Sequence, residues 1–368
     1  MKVNSLDLKR QYETIREEID KAVLEVIRSQ SFILGGYVES FEGKIAQFCC
    51  VKHAIGVSSG TDALLLALMA CGIKNGDEVI TTPFTFFATA SSIARLGAVP
   101  VFVDIDPITY NIDVTKIPAA VTKKTKAILP VHLYGQCANM DAILDIARIH
   151  GLRVVEDAAQ AIGATYKGRN AGSFGDVGCF SFYPTKNLGG YGDGGLITTN
   201  DDKLAEFIRI LRVHGSKSKY YHSHIGINGR LDAIQAAVLS VKLNYLSGWS
   251  KKRRGVAAYY QEHLKDLPIR LPQIDSHNIH IFHQYVIATP DRDALAKYLD
   301  LQGIETAIYY PVPLHLQECF DFLGYERGGL PESERASHET LALPIFPEIT
   351  GKEQDQVIGH IKKFISQQ

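Results

Sequence analysis

The chain has 368 residues, 46% hydrophobic and 21% charged, and its 39 basic against 40 acidic side chains leave a formal charge of −1. Those fractions exclude a disordered, collagen-like or coiled-coil chain, and the balanced charge removes the basic face or arm that nucleic-acid binding requires. The length suggests two or three domains, each able to bury a core.

From Leu6 to Ile27 apolar residues recur at helical spacing among charges, which predicts an amphipathic first helix ahead of the turn signal SFILGG. The opening MKVNSLDLKRQ holds no secretory apolar segment, and the longest apolar stretch, Ala63 to Ile73, falls far short of the roughly 20 residues that span a bilayer. The expectation is a cytoplasmic protein with no membrane contact. Short β-rich runs at Glu78 to Thr82, Val99 to Val103, Ala127 to Val131 and Leu152 to Val155 alternate with helix-like stretches, including Ala63 to Cys71 and Met140 to His150. That alternation predicts an α/β domain on a largely parallel sheet.

Two more β-rich runs, Val177 to Phe182 and Leu196 to Thr199, flank PTKNLGGYGDGG, and a long helical pattern opens near Leu231. After Gly248 the pattern restarts with a basic helix, a strand-like IFHQYVIAT, another helix and a final helix. The reading is a large domain over 1–248 and a smaller one over 249–368, closely packed because no repeat or low-complexity linker separates them. Lys251 to Arg254, a dense basic cluster, reads as a solvated helix turn. The six cysteines form no CxxC pair and read as reduced, mostly buried thiols. The histidines show neither HExxH nor a zinc spacing, so no metal is expected.

Asp157 closes the apolar strand LRVVED, where open parallel sheets bind ligands; the competing reading is an N-cap for a following helix. Lys186 precedes five glycines, where backbone must approach something closely, and is either an amine poised for a Schiff base or an exposed turn lysine. Gly190, Gly192 and Gly195 satisfy GxGxxG, but strand-like LITTN follows where a helix is required. Gly163 to Gly168 has P-loop spacing, but Arg169 and Asn170 stand in place of Lys and Ser/Thr. Neither nucleotide motif survives its context. Ser58, Ser59, Gly60 and Thr61 precede the helix of VSSGTDALLLAL, as a plain N-cap or as a phosphate cup. Together with Asp157 and a lysine 29 positions later, that helix start meets the needs of pyridoxal 5′-phosphate. Those are a phosphate cup, a carboxylate to keep the pyridine nitrogen protonated, and an amine for covalent attachment.

SSGTDAL, DEVITTPFTFFAT, VEDAAQAIGA, SFYPTKNLGGYGDGG, GINGRLDAIQAA and YYPVPLHLQ resemble, in order and over nearly the whole chain, motifs of the DegT/DnrJ/EryC1/StrS sugar aminotransferases. The resemblance implies the aspartate aminotransferase-like fold, fold type I: an α/β large domain with a mostly parallel sheet and a smaller C-terminal α+β domain. It also implies a homodimer with shared active sites, and pyridoxal 5′-phosphate as cofactor with pyridoxamine 5′-phosphate as its aminated form. The implied reaction carries an amino group from L-glutamate to a keto group of a nucleotide-linked sugar, for a lipopolysaccharide, S-layer or antibiotic glycan.

Position by position, Lys186 resembles the catalytic Schiff-base lysine and Asp157 the pyridinium partner. Gln160, three residues on and expected on the same helical face, resembles the residue that binds the cofactor's phenolic oxygen. Phe86 resembles the ring stacked on the pyridine, its other reading being a core aromatic. Gly60, Thr61 and Ser181 resemble phosphate ligands, with Asn228 reaching the phosphate from the other subunit. Some relatives carry histidine at the lysine position and act as dehydratases; Lys186 here implies transamination.

The segment RVHGSKSKYYHSHIGINGRLD resembles that of enzymes aminating C-3 of a keto sugar, such as a dTDP-3-keto-6-deoxyhexose or a UDP-3-keto-N-acetylglucosamine derivative. Tyr183, Tyr220, Tyr221, His222, Arg230, Tyr310 and His315 are the candidate sugar or diphosphate contacts; for the aromatics, interface packing is the competing reading. The alternatives are C-4 amination, a non-nucleotide ketone as substrate, and a cofactor-binding regulatory protein without catalysis.

Overall fold

The computed structural model describes residues 2–367. In chain order come α1 (Leu8–Ser29), α2 (Gly36–Cys49), β1 (His53–Val57), α3 (Gly60–Ala70), β2 (Glu78–Thr81), α4 (Ala88–Ala94) and β3 (Val99–Phe102). Then follow α5 (Ile117–Ala120), β4 (Thr125–Ile128), α6 (Met140–His150), β5 (Arg153–Asp157), the short β6 (Thr165–Tyr166) and β7 (Arg169–Asn170), β8 (Val177–Ser181) and β9 (Gly195–Thr199). The remainder is α7 (Asp202–Leu211), β10 (Ser216–Ser218), β11 (Tyr221–His222), α8 (Ala233–Leu264), β12 (Asn278–Ile279), β13 (Tyr285–Ala288), α9 (Arg292–Leu301), α10 (Pro331–Glu339), β14 (Thr340–Leu343) and α11 (Gly351–Ile365).

The central sheet has the order β1-β9-β8-β5-β4-β2-β3, with β9 running against the other six strands. Successive side chains leave a strand on opposite faces, and both faces here are covered. Ile80, Ile128, Val154 and Phe180 pack with Phe41, Met140, Ile143 and Leu239 on one side. Val79, Ala127, Val155 and Cys179 pack with α3 and α7 on the other. Caps set the ends of the helices: Asp7 accepts the N–H groups of Lys9 and Arg10 at α1, and Thr350 and Glu353 form a reciprocal capping box at α11.

Three expectations need correction. α8 runs unbroken for 32 residues through Gly248, so no new helix starts there and the 248/249 boundary falls inside one element. An interior glycine costs a helix only about 1 kcal/mol, and buried Leu246 and Trp249 on either side hold it. Packing does change along α8: Leu246 belongs to the main core, whereas Val256, Ala257, Tyr260 and Leu264 join Val3, β13, β14, α9 and α11 in a second one. Second, the basic cluster is not wholly solvated. Lys251 and Lys252 are exposed, but Arg253 is buried and donates to the carbonyls of Phe282, His283 and Ile345. Third, no helix follows Asp157. Its carboxylate takes the Ala159 N–H at 3.2 Å, and turns through Ala161 and Ala164 replace the helix, so Gln160 shares no helical face with it.

Among the cysteines, Cys49, Cys137 and Cys179 are buried, Cys71 is half-buried, and Cys50 and Cys319 are exposed; all are free thiols. Among the described residues no helix is long and apolar enough to cross a membrane.

Candidate active site

Because β1, β2, β4, β5 and β8 run in parallel, their C-terminal ends open on one edge of the sheet. The strand ends and the segments leaving that edge carry Gly60, at the start of α3, Asp157, at the end of β5, and Phe86, His132 and Lys186 in loops. Asp157 is 5% exposed and held at both carboxylate oxygens: Oδ2 accepts Thr89 Oγ1–H at 2.7 Å and Oδ1 accepts the Ala159 N–H at 3.2 Å. Its backbone N–H donates to Pro130 and its carbonyl accepts from His132, which ties β5 to the loop after β4. Burial pushes the carboxyl pKa up, while the two hydrogen bonds and the charge of Lys186 oppose the shift. Thr89 spends its one proton on Asp157, so in its 3.0 Å contact with Thr85 it is Thr85 that donates.

Lys186 sits in the loop between β8 and β9, where its backbone N–H bonds to the Tyr183 carbonyl at 2.8 Å. Burial brings its amine down to about 8, against the upward pull of Asp157. A neutral amine is therefore populated near neutral pH, as a nucleophile and proton carrier requires.

At the start of α3, the Ser59 hydroxyl caps the Asp62 N–H at 3.0 Å and the Ser59 carbonyl takes the Ala63 N–H. The N–H groups of Gly60 and Thr61 have no protein acceptor among the described residues. Ser181, at the end of β8, abuts this helix start so closely that a Cβ on Gly60 would lie 2.7 Å from the Ser181 Cβ; only glycine fits. Unpaired N–H groups, a helix dipole and an adjacent hydroxyl suit a phosphate.

Gln160 Oε1 accepts the Tyr134 N–H at 2.7 Å and its Nε2 donates to the Tyr310 hydroxyl at 3.0 Å. The Phe86 ring, more than half exposed, lies 6.3 Å from that of Tyr310. Asp157, Lys186, Gln160, Phe86 and Tyr310 are thus one cluster, with Gly60, Thr61 and Ser181 grouped at the neighbouring strand ends. A buried carboxylate, a depressed lysine and open helix N–H groups fit pyridoxal phosphate.

The other expected residues are not hydrogen-bonded into that cluster through their side chains. Tyr183, in the Lys186 loop, is exposed; Tyr220, Tyr221 and His222 are exposed on the β10–β11 hairpin; Asn228 is exposed opposite Val213, and Arg230 is half-buried. His315 is 1% exposed and bonds Glu334 through Nε2 at 3.2 Å, so on this chain it faces no open surface. The sequence reading missed Thr85 and Thr89, whose i,i+4 spacing in TFFAT was the available signal. It also missed Glu156, which takes the N–H groups of Gly172, Phe174 and Gly175 and contacts His132 Nε2 at 2.8 Å.

A model of the DegT/DnrJ/EryC1/StrS aminotransferase family matches residues 13–362. The chain is 55% identical to a Geobacillus stearothermophilus protein named "Pleiotropic regulatory protein", over 99% of each chain. It is 44% identical to the UDP-N-acetyl-3-dehydro-alpha-D-glucosamine 3-aminotransferase of Acidithiobacillus ferrooxidans, over 97% of this chain and 96% of that one. A crystal structure of S. venezuelae DesV in complex with ketimine intermediate superposes with a TM-score of 0.97 at 43% identity, covering 99% of this chain and 98% of that one.

Proposed function

The chain belongs to the DegT/DnrJ/EryC1/StrS aminotransferase family, and from that premise we propose that it moves an amino group from glutamate to the C-3 keto group of a dTDP- or UDP-linked sugar. It is a sugar aminotransferase of fold type I, and its cofactor is pyridoxal 5′-phosphate. When bound, that cofactor supplies an electron sink and a carrier for the amino group. The observation that carries the reading is the buried Asp157, pinned by Thr89 and Ala159 and acting on a lysine whose amine is depressed to about 8.

In this reading Asp157 would keep the cofactor's ring nitrogen protonated, and Lys186 would be its attachment point and the group that moves a proton at the substrate carbon. Gln160 would meet the ring oxygen and Phe86 the ring face. Gly60, Thr61 and Ser181 would hold the phosphate. Of the readings weighed on the sequence, C-3 amination stands, and C-4 amination and a non-catalytic regulator do not.

The active unit in this reading is a homodimer. Asn228 and the exposed Tyr220–His222 hairpin support it, as polar and aromatic side chains that stand open to the outside on this chain. A larger cofactor-holding part and a smaller C-terminal part divide along α8, where the packing changes core. We place the protein in the cytoplasm, in keeping with its free thiols.

The test is incubation of purified protein with glutamate and matched 3-keto and 4-keto nucleotide sugars, with NMR of the product. An amine at C-3 is expected; exclusive amination at C-4 refutes the substrate assignment. Light scattering on the active protein tests the assembly, and an active monomer overturns it.

A further inference from the structure

We propose that Lys242 of α8 is a positioning residue for Lys186, clamping the loop that carries the reacting amine so that it stays aligned with Asp157. The proposal rests on the role given to Lys186 above. Lys242 is 1% exposed, its Nζ donates a 2.5 Å hydrogen bond to the Gly189 carbonyl, and the ammonium lies 5.1 Å from the centre of the Tyr191 ring. Gly189 stands three residues past Lys186.

The segment between β8 and β9 has no regular structure, and its shape depends on a few bonds. Internally, Lys186 N–H reaches Tyr183 and Gly190 N–H reaches Phe182, both at 2.8 Å. Gly189 presses on the residues before the lysine: a Cβ there would lie 2.2 Å from the Pro184 carbonyl oxygen. A grip on Gly189 therefore fixes the backbone on both sides of Lys186.

α8 supplies that grip twice from one face. Gln235, two turns before Lys242, takes the Tyr191 N–H at 2.7 Å, and Leu239 and Leu246 complete the same stripe inside the main core with Leu188. The loop is also held at Asn187, which meets His283 at 3.0 Å and donates to the Ile281 carbonyl at 3.4 Å.

The choice of lysine is informative. Replacing a buried ion by an apolar side chain is often neutral or stabilising, so a chain needing only packing at 242 would do as well with Leu, as it does at 239 and 246. Burial brings the Lys242 amine down to about 8, with Glu348 acting upward, which leaves it charged at neutral pH. A charged donor on a loop carbonyl gives direction that an apolar contact lacks.

The experiment compares holoenzyme of the wild type, Lys242→Met and Lys242→Arg. The readouts are a pH titration of the cofactor's visible absorbance, which reports protonation at the Lys186 nitrogen, hydrogen exchange of residues 182–191, and kcat and KM for glutamate. For Lys242→Met we expect a midpoint moved by about half a pH unit or more, because the amine leaves its desolvated place. Faster exchange should be confined to the loop, and kcat should fall about tenfold to a hundredfold with KM within about twofold, the scale of a small misplacement of a reacting group. Lys242→Arg, which restores a charged donor, should recover most of each.

Wild-type midpoint and kcat overturn the proposal, and so does a kcat loss with an unmoved midpoint, which marks packing alone. If Lys242→Met does not fold, Lys242→Gln, which keeps a donor without the charge, is judged by the same criteria. A wild-type visible band that persists in Lys186→Ala defeats the role of Lys186 and the clamp with it. A band that requires Lys186, alongside Lys242 variants that behave as wild type, defeats the clamp alone.

Discussion

Thr89 Oγ1 donates to Asp157 Oδ2 at 2.7 Å, so a fully buried threonine on α4 holds the carboxylate that ends β5. Valine at 89 keeps the shape and removes the donor, leaving a buried carboxylate oxygen unpaired at a cost of about 1–3 kcal/mol to its charged form. The pKa of Asp157, already raised by burial, should rise further, and its proposed pairing with the cofactor's ring nitrogen should weaken. Thr89→Val is expected to loosen cofactor binding about tenfold and to lower kcat by a similar factor, with Thr89→Ser near wild type. Equilibrium dialysis of the cofactor checks this, and an unchanged Kd in Thr89→Val sinks it.

As the proposed attachment residue, Lys186 should set the pH dependence of cofactor loading. Covalent attachment needs the neutral amine, and burial brings that amine down from 10.5 to about 8. Below that pH the neutral fraction falls about tenfold per pH unit; above it the fraction saturates. The rate at which apo-protein binds pyridoxal phosphate should climb up to about pH 8 and then level off. An ordinary lysine would keep climbing towards 10.5, and stopped-flow absorbance across that range separates the two.

Glu156 has a different task from its neighbour Asp157. It is fully buried, its Oε1 accepts the Phe174 and Gly175 N–H groups at 2.7 Å, and its Oε2 accepts the Gly172 N–H and meets His132 Nε2, each at 2.8 Å. His132 Nδ1 accepts the Ala138 N–H, so Nε2 carries the proton. Glu156→Gln turns an amide towards two donors and should cost about 3 kcal/mol in urea unfolding. Full stability in that variant would contradict the network.

These side chains also mark where the sequence stops being legible. The strands announced themselves because a parallel sheet covered on both faces demands short apolar runs, and Asp157 and Lys186 stood out against a strand end and a run of glycines. Thr89, Lys242 and Arg253 did not. Within a helix, a polar residue in a stripe such as AAVLSVKLNYL reads the same whether its head meets water or a distant carbonyl, and the partners here lie tens of residues away. The helix expected after Asp157 failed for a local reason: the aspartate spends its carboxylate on the Ala159 N–H. Gly248 misled in the opposite sense, since long-range packing of Leu246 and Trp249 overrides a weak breaker.

Arg253 makes that contrast measurable inside one basic cluster. Its Nη1 reaches the carbonyls of Phe282 at 3.1 Å, His283 at 3.4 Å and Ile345 at 2.9 Å, joining α8 to two separate segments of the C-terminal core. His283 in turn contacts Asn187, the residue after Lys186, so the link extends to the active-site loop. Arg253→Met strands three buried carbonyls and should cost about 3 kcal/mol, with kcat falling as Asn187 loses its hold. Arg253→Lys retains the charge but not the planar fork and should recover only part. Lys251→Ala and Lys252→Ala, on the exposed side of the same turn, should stay within about 0.5 kcal/mol of wild type. Urea unfolding of the four variants decides it, and equal losses at 251, 252 and 253 would mean that the cluster acts through its charge and not through the buried arginine.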